Sequence, residues 1–211
     1  MDELSRLDIT KKQLNNVARM LQYRYTSNAF PSINEVEYNE ISEKWNDNIS
    51  QSQIEYIIEQ KNMKICVIFN IKDKLDGDLV TKLKNKNRTF IIIMPRTASA
   101  NTIKKETIKV LDYTNVEIFD YEYFMYDRSS YVDCASQKHT ICTKDEKEDF
   151  MTRYRVDTKQ IATISMYDPM IYYINATLGD LIKIKRMSET VGTSYFYRIV
   201  SYPSKRGAIN K

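Results

Sequence analysis

Three strand-sized apolar runs, separated by segments with helical spacing, constrain the fold of this chain most strongly. The runs are KICVIFN at 64–70, TFIIIMP at 89–95 and VEIF at 116–119, and the segments Asp76–Lys84 and Thr102–Asp112 lie between them. The second run, TFIIIMP, is unbroken in its apolar character, which suggests a strand that is buried on both faces, as in a parallel sheet. The pattern predicts an α/β domain with a partly parallel sheet, which we expect to occupy residues 1–128.

Helical signals precede the first of these runs. Thr10–Gln13 fits a capping box, and apolar residues then recur at helical spacing, which predicts a helix over Thr10–Tyr25. Asn34 can cap a second helix that continues to Trp45, and we expect Ser52–Gln60 to form a third, shorter helix. The α/β domain should therefore begin with a helical segment.

A second, smaller domain is expected after a connection over residues 129–143, which lies in a polar stretch that lacks the periodicity of a helix or a strand. A capping box at Thr143–Glu146 opens a helix on which Phe150, Met151 and Tyr154 share a face. Three strands and one helical turn should follow, at Gln160–Ile164, Pro169–Ile174 (the turn), Leu181–Lys185 and Ser194–Val200. The predicted fold class is thus an N-terminal α/β domain plus a small C-terminal domain of mixed α and β structure over 144–202, with a basic tail at 203–211 that should fray.

Composition excludes several classes of protein. The chain has 211 residues, 42% of them hydrophobic, and its 32 basic and 28 acidic residues give a net charge of only +4. So mild a charge does not by itself mark a nucleic-acid binder. The odd number of cysteines, three, indicates a reducing compartment, and the apolar runs are too short to cross a bilayer. We expect an intracellular protein with no membrane partner.

Four sequence blocks in the C-terminal third carry a family resemblance. They are KHTICTKDEK (138–147), YDPMIYY (167–173), LGDLIKIKRMSETVG (178–192) and YFYRIV (195–200). In this order they resemble the assembly domain of the fifth shared subunit of eukaryotic DNA-directed RNA polymerases, and of its smaller archaeal counterpart. The segments 87–105 and 116–124 resemble, more weakly, the N-terminal jaw domain of that subunit. The basic side chains of the family pattern are absent at 161–164 and 175–179, and such divergence would suit a subunit encoded by a large DNA virus.

The resemblance implies a non-catalytic subunit whose C-terminal domain docks on the largest polymerase subunit within the complex. The location would be the nucleus in a cell, or the host cytoplasm, nucleus and virion for a virus. A simpler interpretation of the motifs is structural, because Asp168 can cap a helical turn and the loop at 186–192 can be a self-satisfied turn in which Gly192 takes a positive φ. The expected interface residues are Asp168, Pro169, Arg186, Ser188, Glu189, Thr190, Gly192, Tyr197 and Arg198.

The resemblance also implies that the jaw domain contacts downstream duplex DNA, weakly and without sequence preference. A helix that begins near residue 100 would present free N–H groups and hydroxyls, which suit phosphate oxygens. Without the resemblance, the same segment would be an ordinary capped helix with a solvated lysine face. The expected DNA contacts are Arg96, Thr97, Ser99, Asn101, Lys104 and Lys105.

We expect no catalytic residue, metal or cofactor. Cys134, His139 and Cys142 do not have the spacing of a zinc site, and His139, at the histidine position of the family, should be buried and hydrogen-bonded. Two alternatives remain, a metal-dependent nuclease and a free-standing DNA-binding factor. The nuclease would need acids on strands that carry none, although Asp73, Asp76 and Asp78 could hold a cation in a loop. The free-standing factor is disfavoured by the low net charge.

Overall fold

The protein was analysed as a computed structural model, which describes residues 6–25, 53–60, 63–84, 88–110, 113, 115–128, 137–188 and 192–202. These residues fall into two compact units. Unit 1 contains the described residues up to Gln22 and those from Gln53 to Tyr126, and unit 2 contains Tyr23–Tyr25 and the described residues from Asp127 onward.

Unit 1 contains a four-stranded sheet of order β1-β2-β3-β4. Strands β2, β3 and β4 run parallel, whereas β1 pairs antiparallel with β2. The predicted partly parallel α/β arrangement is therefore present. Its elements are α1 (Arg6–Tyr25), β1 (Gln53–Gln60), β2 (Met63–Asn70), α2 (Gly77–Leu83), β3 (Thr89–Ile93), α3 (Ala100–Lys109) and β4 (Val116–Phe119).

The core of unit 1 forms around the apolar runs of β2 and β3. Residues 65–70 and 90–94 are all buried, because each of these strands has a neighbour on both sides and is covered on both faces. Leu79 and Leu83 of α2 pack into the same cluster. The predicted helices α1, α2 and α3 and the predicted strands β2, β3 and β4 are confirmed, with small shifts at their ends.

One predicted element of unit 1 is wrong. Residues 53–60 form a strand, not a helix, and pair in register with β2 from Gln53–Asn70 to Gln60–Met63. A segment of eight residues with three isoleucines and one tyrosine suits either state, and pairing with a buried neighbouring strand decides in favour of the sheet. The predicted helix over 34–45 lies outside the described residues.

Unit 2 contains a second four-stranded sheet, of order β5-β7-β8-β6. Strands β5 and β8 flank β7 antiparallel, and the short β6 pairs parallel with β8. The predicted mixed α and β content is present. The elements are β5 (Gln137–Ile141), α4 (Lys144–Tyr154), β6 (Thr163–Ser165), α5 (Pro169–Tyr173), β7 (Leu181–Ser188) and β8 (Gly192–Ser201).

Three expectations for unit 2 need correction. The stretch that was expected to hold no element contains the strand β5. Its polar sequence gives no strand pattern, and it forms a strand because it pairs with β7. The strand expected over Gln160–Ile164 is shorter and begins later, as β6 at Thr163–Ser165. The Gln160 N–H donates to the Asp157 carbonyl (2.9 Å), which keeps Gln160 in a turn. The expected long loop at 186–192 is mostly strand, since Arg186 and Ser188 pair with Ser194 and Gly192.

Candidate functional site

Alternation along the strands gives the sheet of unit 2 two chemically different faces. Cross-strand pairing aligns His139 with Ile184 and Ile184 with Phe196, and Arg186 lies two residues further along β7 on the same side. We call this side the histidine face. The opposite side, on which Lys183, Lys185, Tyr195 and Tyr197 lie, is called the tyrosine face.

His139 is buried and hydrogen-bonded, as predicted. Its Nδ1 lies 2.8 Å from the Gln137 carbonyl oxygen. Because a carbonyl can only accept, Nδ1 carries the proton and Nε2 is left as an acceptor. Burial is the largest influence on the pKa of His139 and lowers it below its usual value, so the ring is neutral near pH 7.

Two residues from other sequence motifs lie close enough to His139 for their charges to act on it. The carboxylate of Asp168 raises the pKa of His139, and the guanidinium of Arg186 lowers it, both less strongly than burial does. Asp168 also caps α5, where its Oδ1 accepts from the Met170 N–H at 2.8 Å, and Pro169 occupies the first turn, as the structural interpretation predicted. The fold therefore places the motif blocks of His139 and Arg186 on the histidine face and brings the charge of Asp168, from a third block, within reach of His139.

Arg186 has bonding capacity on this face that its surroundings do not use. Its guanidinium carbon lies 4.5 Å from the centroid of the Phe196 ring, a cation–π arrangement. Its Nε is buried and has no hydrogen-bond partner among the described residues. Phe196 is 42% exposed, which is unusual for a phenylalanine in a central strand. A guanidinium with a spare donor beside an exposed ring is typical of a protein interface.

The end of α1 contributes two further residues that the sequence interpretation missed. The Tyr23 hydroxyl accepts from the His139 N–H at 2.9 Å and donates to the His139 carbonyl at 3.0 Å, which satisfies the backbone of that residue at the open edge of β5. Burial raises the pKa of Tyr23, so this hydroxyl keeps its proton. Arg24 donates to the Tyr173 and Tyr172 carbonyls at the end of α5, at 2.6 and 2.9 Å. No local signal could have identified them, because their partners lie more than a hundred positions away.

The remaining predicted interface residues do not form one surface. Tyr197 lies on the tyrosine face, where its ring centroid is 4.3 Å from that of Phe150. Arg198 lies on the histidine-face side and donates to the Thr163 carbonyl at 3.1 Å. Gly192 takes the predicted positive φ, at 74°. Glu189 and Thr190, like the side chain of Ser188, lie outside the described residues.

The predicted DNA contacts lie together in unit 1, where β3 leads into α3. Ser99 caps α3, and its hydroxyl oxygen accepts from the Thr102 N–H at 3.2 Å. Arg96, which has no partner among the described residues, and Lys104 are both exposed. The other predicted contacts are exposed as well: Thr97, Asn101 and Lys105.

Acidic residues beside this segment are engaged within unit 1. Asp73 accepts from the Thr97 hydroxyl, and Asp76 pairs with Lys72 at 3.2 Å. The buried carboxylate of Glu106 accepts from the Leu75 N–H at 3.1 Å and pairs with Lys109 at 2.7 Å. These contacts hold the loop between β2 and α2 against α3, while Asp78, the third acid of the predicted cluster, is exposed in the first turn of α2.

Metal-ligating side chains do not cluster in the described parts of either unit. No group of three or more His, Cys, Asp or Glu residues there could hold a metal ion. Cys134 lies outside the described residues, and burial raises the pKa of the half-buried Cys142 thiol, which disfavours its thiolate form. In the same residues, every helix is too short or too polar to pass through a bilayer.

Comparison with known proteins matches the part of unit 2 that carries these motifs. The family described as "RNA polymerase Rpb5, C-terminal domain" matches residues 135–200. DNA-directed RNA polymerase subunit Rpo5 of Thermococcus kodakarensis is 40% identical over 63 residues, which cover 30% of this chain and 77% of the relative. The subunit of the same name from Methanosarcina barkeri is 35% identical over 63 residues, or 30% of this chain and 81% of the relative. The chain therefore belongs to the RNA polymerase Rpb5 family, whose C-terminal domain it contains at residues 135–200.

Proposed function

We propose that this protein is a non-catalytic subunit of a multisubunit DNA-dependent RNA polymerase. The observation that carries the proposal is the coincidence of the family match with the histidine face. The matched range, 135–200, contains His139, Arg186 and Phe196, which lie on one side of a small sheet, and Asp168, whose charge acts on His139. Together these residues come from all four sequence blocks.

The histidine face is the surface that docks on the largest polymerase subunit. Three features support this assignment. Arg186 has an unused buried donor, Phe196 is an exposed ring on a central strand, and Tyr172 on the adjacent α5 is 38% exposed. Aromatic and arginine side chains with spare bonding capacity are typical of the energetically important part of an interface.

Unit 1 contacts the downstream duplex through the segment that enters α3. Its exposed cations, Arg96, Lys104 and Lys105, lie beside the N-terminus of a ten-residue helix, where free N–H groups suit phosphate oxygens. Contacts of this kind position a duplex without reading its sequence. With Asp73 and Asp76 engaged by Thr97 and Lys72, we expect the pure protein to leave nucleic acid uncleaved in Mg²⁺ or Mn²⁺.

Affinity purification from the natural source tests the proposal. An affinity tag on this chain should recover the two large polymerase subunits in amounts comparable to the tagged protein. An untagged strain, taken through the same steps, controls for non-specific retention. Recovery of the tagged chain alone, under conditions that keep the polymerase intact, would contradict the subunit assignment.

A further inference from the structure

The tyrosine face combines exposed aromatic rings with lysines, and the docking proposal does not use it. Lys185 pairs across the strands with Lys138 on one side and with Tyr195 on the other. The Nζ of Lys183 lies 4.7 Å from the centroid of the Tyr195 ring. Tyr195 is nevertheless 51% exposed, so a large part of the ring remains accessible.

A row of aromatic rings extends this surface from the strands onto α4. The ring centroid of Phe150 lies 4.3 Å from that of Tyr197 and 4.7 Å from that of Tyr154. Phe150 and Tyr197 pack against the small core of Leu181, Ile161 and Ile199, whereas Tyr154 at the end of α4 is 58% exposed. The two ends of the row, Tyr154 and Tyr195, therefore present rings to solvent.

The strands that form this surface carry basic residues and no acidic ones. The sequences of β5, β7 and β8 contain no aspartate or glutamate. Of their basic residues, Lys138, Lys183 and Lys185 lie on the tyrosine face, whereas Arg186 and Arg198 lie on the histidine face.

Two of the four acidic side chains on the neighbouring α4 are engaged locally, and the exposed Asp145 and Glu148 lie, by helical spacing, on the side of α4 away from Phe150 and Tyr154. Glu146 completes the capping box with Thr143, and Asp149 pairs with Arg153 at 3.3 Å. The tyrosine face is therefore complementary to a polyanion.

We propose that the tyrosine face binds single-stranded nucleic acid, with bases stacked on Tyr195 and Tyr154 and phosphates held by Lys183 and Lys185. Rings and cations side by side on a pleated surface are a recurring arrangement for unpaired nucleotides, because every base has a face that can stack. A duplex could use the lysines but hides its base faces, so the exposed rings favour a single strand. This surface is distinct from the docking and duplex contacts proposed above and does not depend on them.

Fluorescence anisotropy with the full chain tests the proposal. The probes are labelled oligo(U), oligo(dT) and a duplex, each about 16 nucleotides long, the upper end of common single-strand site sizes. Both single strands should bind more tightly than the duplex, and their ranking distinguishes RNA from DNA. Tyr195→Ala should weaken single-strand binding about tenfold, as expected for loss of one stacking ring, and Tyr195→Phe should restore it.

A lysine variant separates the phosphate contacts from the stacking. Replacing Lys183 and Lys185 together by Gln should reduce the slope of log K against log salt by about 1.4, or about 0.7 for each phosphate of a single strand that the protein no longer neutralises. Tyr195→Phe should leave that slope unchanged.

Tyr126 provides a matched control, because it is a tyrosine that is 60% exposed with the Nζ of Lys12 at 5.6 Å from its ring centroid, but it belongs to unit 1. Tyr126→Ala should bind oligo(U) like the unmodified protein, and circular dichroism checks that each variant is folded. Several results would overturn the proposal. These are unchanged single-strand binding by Tyr195→Ala, a loss of duplex binding in that variant as large as its loss of single-strand binding, an unchanged salt slope in the lysine variant, or binding of poly-glutamate in place of nucleic acid.

Discussion

The two units of this protein treat their apolar side chains in different ways. Among the described residues, unit 1 buries 65–70 of β2 and 90–93 of β3, and the large apolar side chains that it leaves exposed are Ile57, Ile108 and Tyr126. Unit 2 is smaller and, among the described residues, leaves more large apolar side chains exposed to solvent. These are Tyr25, Ile141, Tyr154, Tyr167, Tyr172, Leu178, Tyr195, Phe196 and Tyr202.

The difference indicates which unit needs a partner. A parallel sheet with buried central strands satisfies its own apolar surface. A small sheet with exposed rings on both faces, such as Phe196 and Tyr195, is typical of a domain that other molecules cover. We therefore expect core substitutions in unit 1 to affect folding, and surface substitutions in unit 2 to affect binding.

The largest expected effect is on the core of unit 1. Ile92 in β3 is fully buried, and Ile92→Ala should lower the free energy of unfolding by about 2–5 kcal/mol, because it leaves a cavity between close-packed side chains. Ile108→Ala, at a position that is 60% exposed, should change it by less than about 0.5 kcal/mol. Urea unfolding followed by circular dichroism measures both. Similar losses in the two variants would mean that the contrast in burial does not govern stability.

Unit 1 is also the part of the fold that local sequence patterns predicted well. The apolar runs of β2 and β3 could be recognised in the sequence, because a strand that is buried on both faces needs continuous apolar character. The strand at 53–60 was missed because its eight residues suit a helix as well, and only pairing with β2 decides. The strand β5 at 137–141, within the predicted connection, was missed because its sequence is polar and it depends on pairing with β7.

The candidate site was predicted in part, for a related reason. Capping by Asp168 and the positive φ of Gly192 are local properties, so the sequence contains them. The convergence of His139, Asp168 and Arg186 depends on strand register, and the contacts of Tyr23 depend on partners over a hundred positions away. Such long-range pairing has no signature in a single sequence.

A second prediction concerns the hydroxyl that closes the edge of β5. Tyr23→Phe removes two hydrogen bonds to the backbone of His139, so we expect unit 2 to lose about 1–3 kcal/mol of stability. Hydrogen exchange at the β5 amides, measured by mass spectrometry, should increase. Tyr167→Phe, at a position that is 62% exposed, should leave exchange unchanged. Unchanged exchange in Tyr23→Phe would show that water replaces the hydroxyl without cost.

A smaller, pH-dependent effect should come from His139. Because burial lowers its pKa in the folded state, the unfolded chain binds the proton more readily. The stabilising contribution of the neutral ring is complete above the unfolded pKa of about 6.5 and declines as pH falls below that value. Thermal melting of the protein and of His139→Gln should therefore converge as pH falls from 7 towards 5. A difference between the two melting temperatures that stays constant or widens as pH falls would contradict a buried, neutral His139.

The smallest expected effect is at the surface of unit 1. Arg96→Ala and Lys104→Ala should each weaken duplex retention by the assembled polymerase by up to about 1 kcal/mol, equally on all sequences, because the proposed phosphate contacts involve exposed side chains and are screened by salt. Filter binding at several salt concentrations measures this. Lys64→Ala, an exposed lysine at the start of β2, is the control. A sequence-dependent loss would indicate base contacts instead.

The central claim is that the histidine face of unit 2 is a docking surface and not a structural requirement of the fold. The direct measurement compares tagged Arg186→Ala/Phe196→Ala with tagged Arg153→Ala, which removes an exposed arginine of α4 in the same unit. We predict that the double variant loses co-purification with the largest polymerase subunit while its melting temperature stays close to that of the control. A sharp fall in melting temperature, with association unchanged at a permissive temperature, would contradict the account.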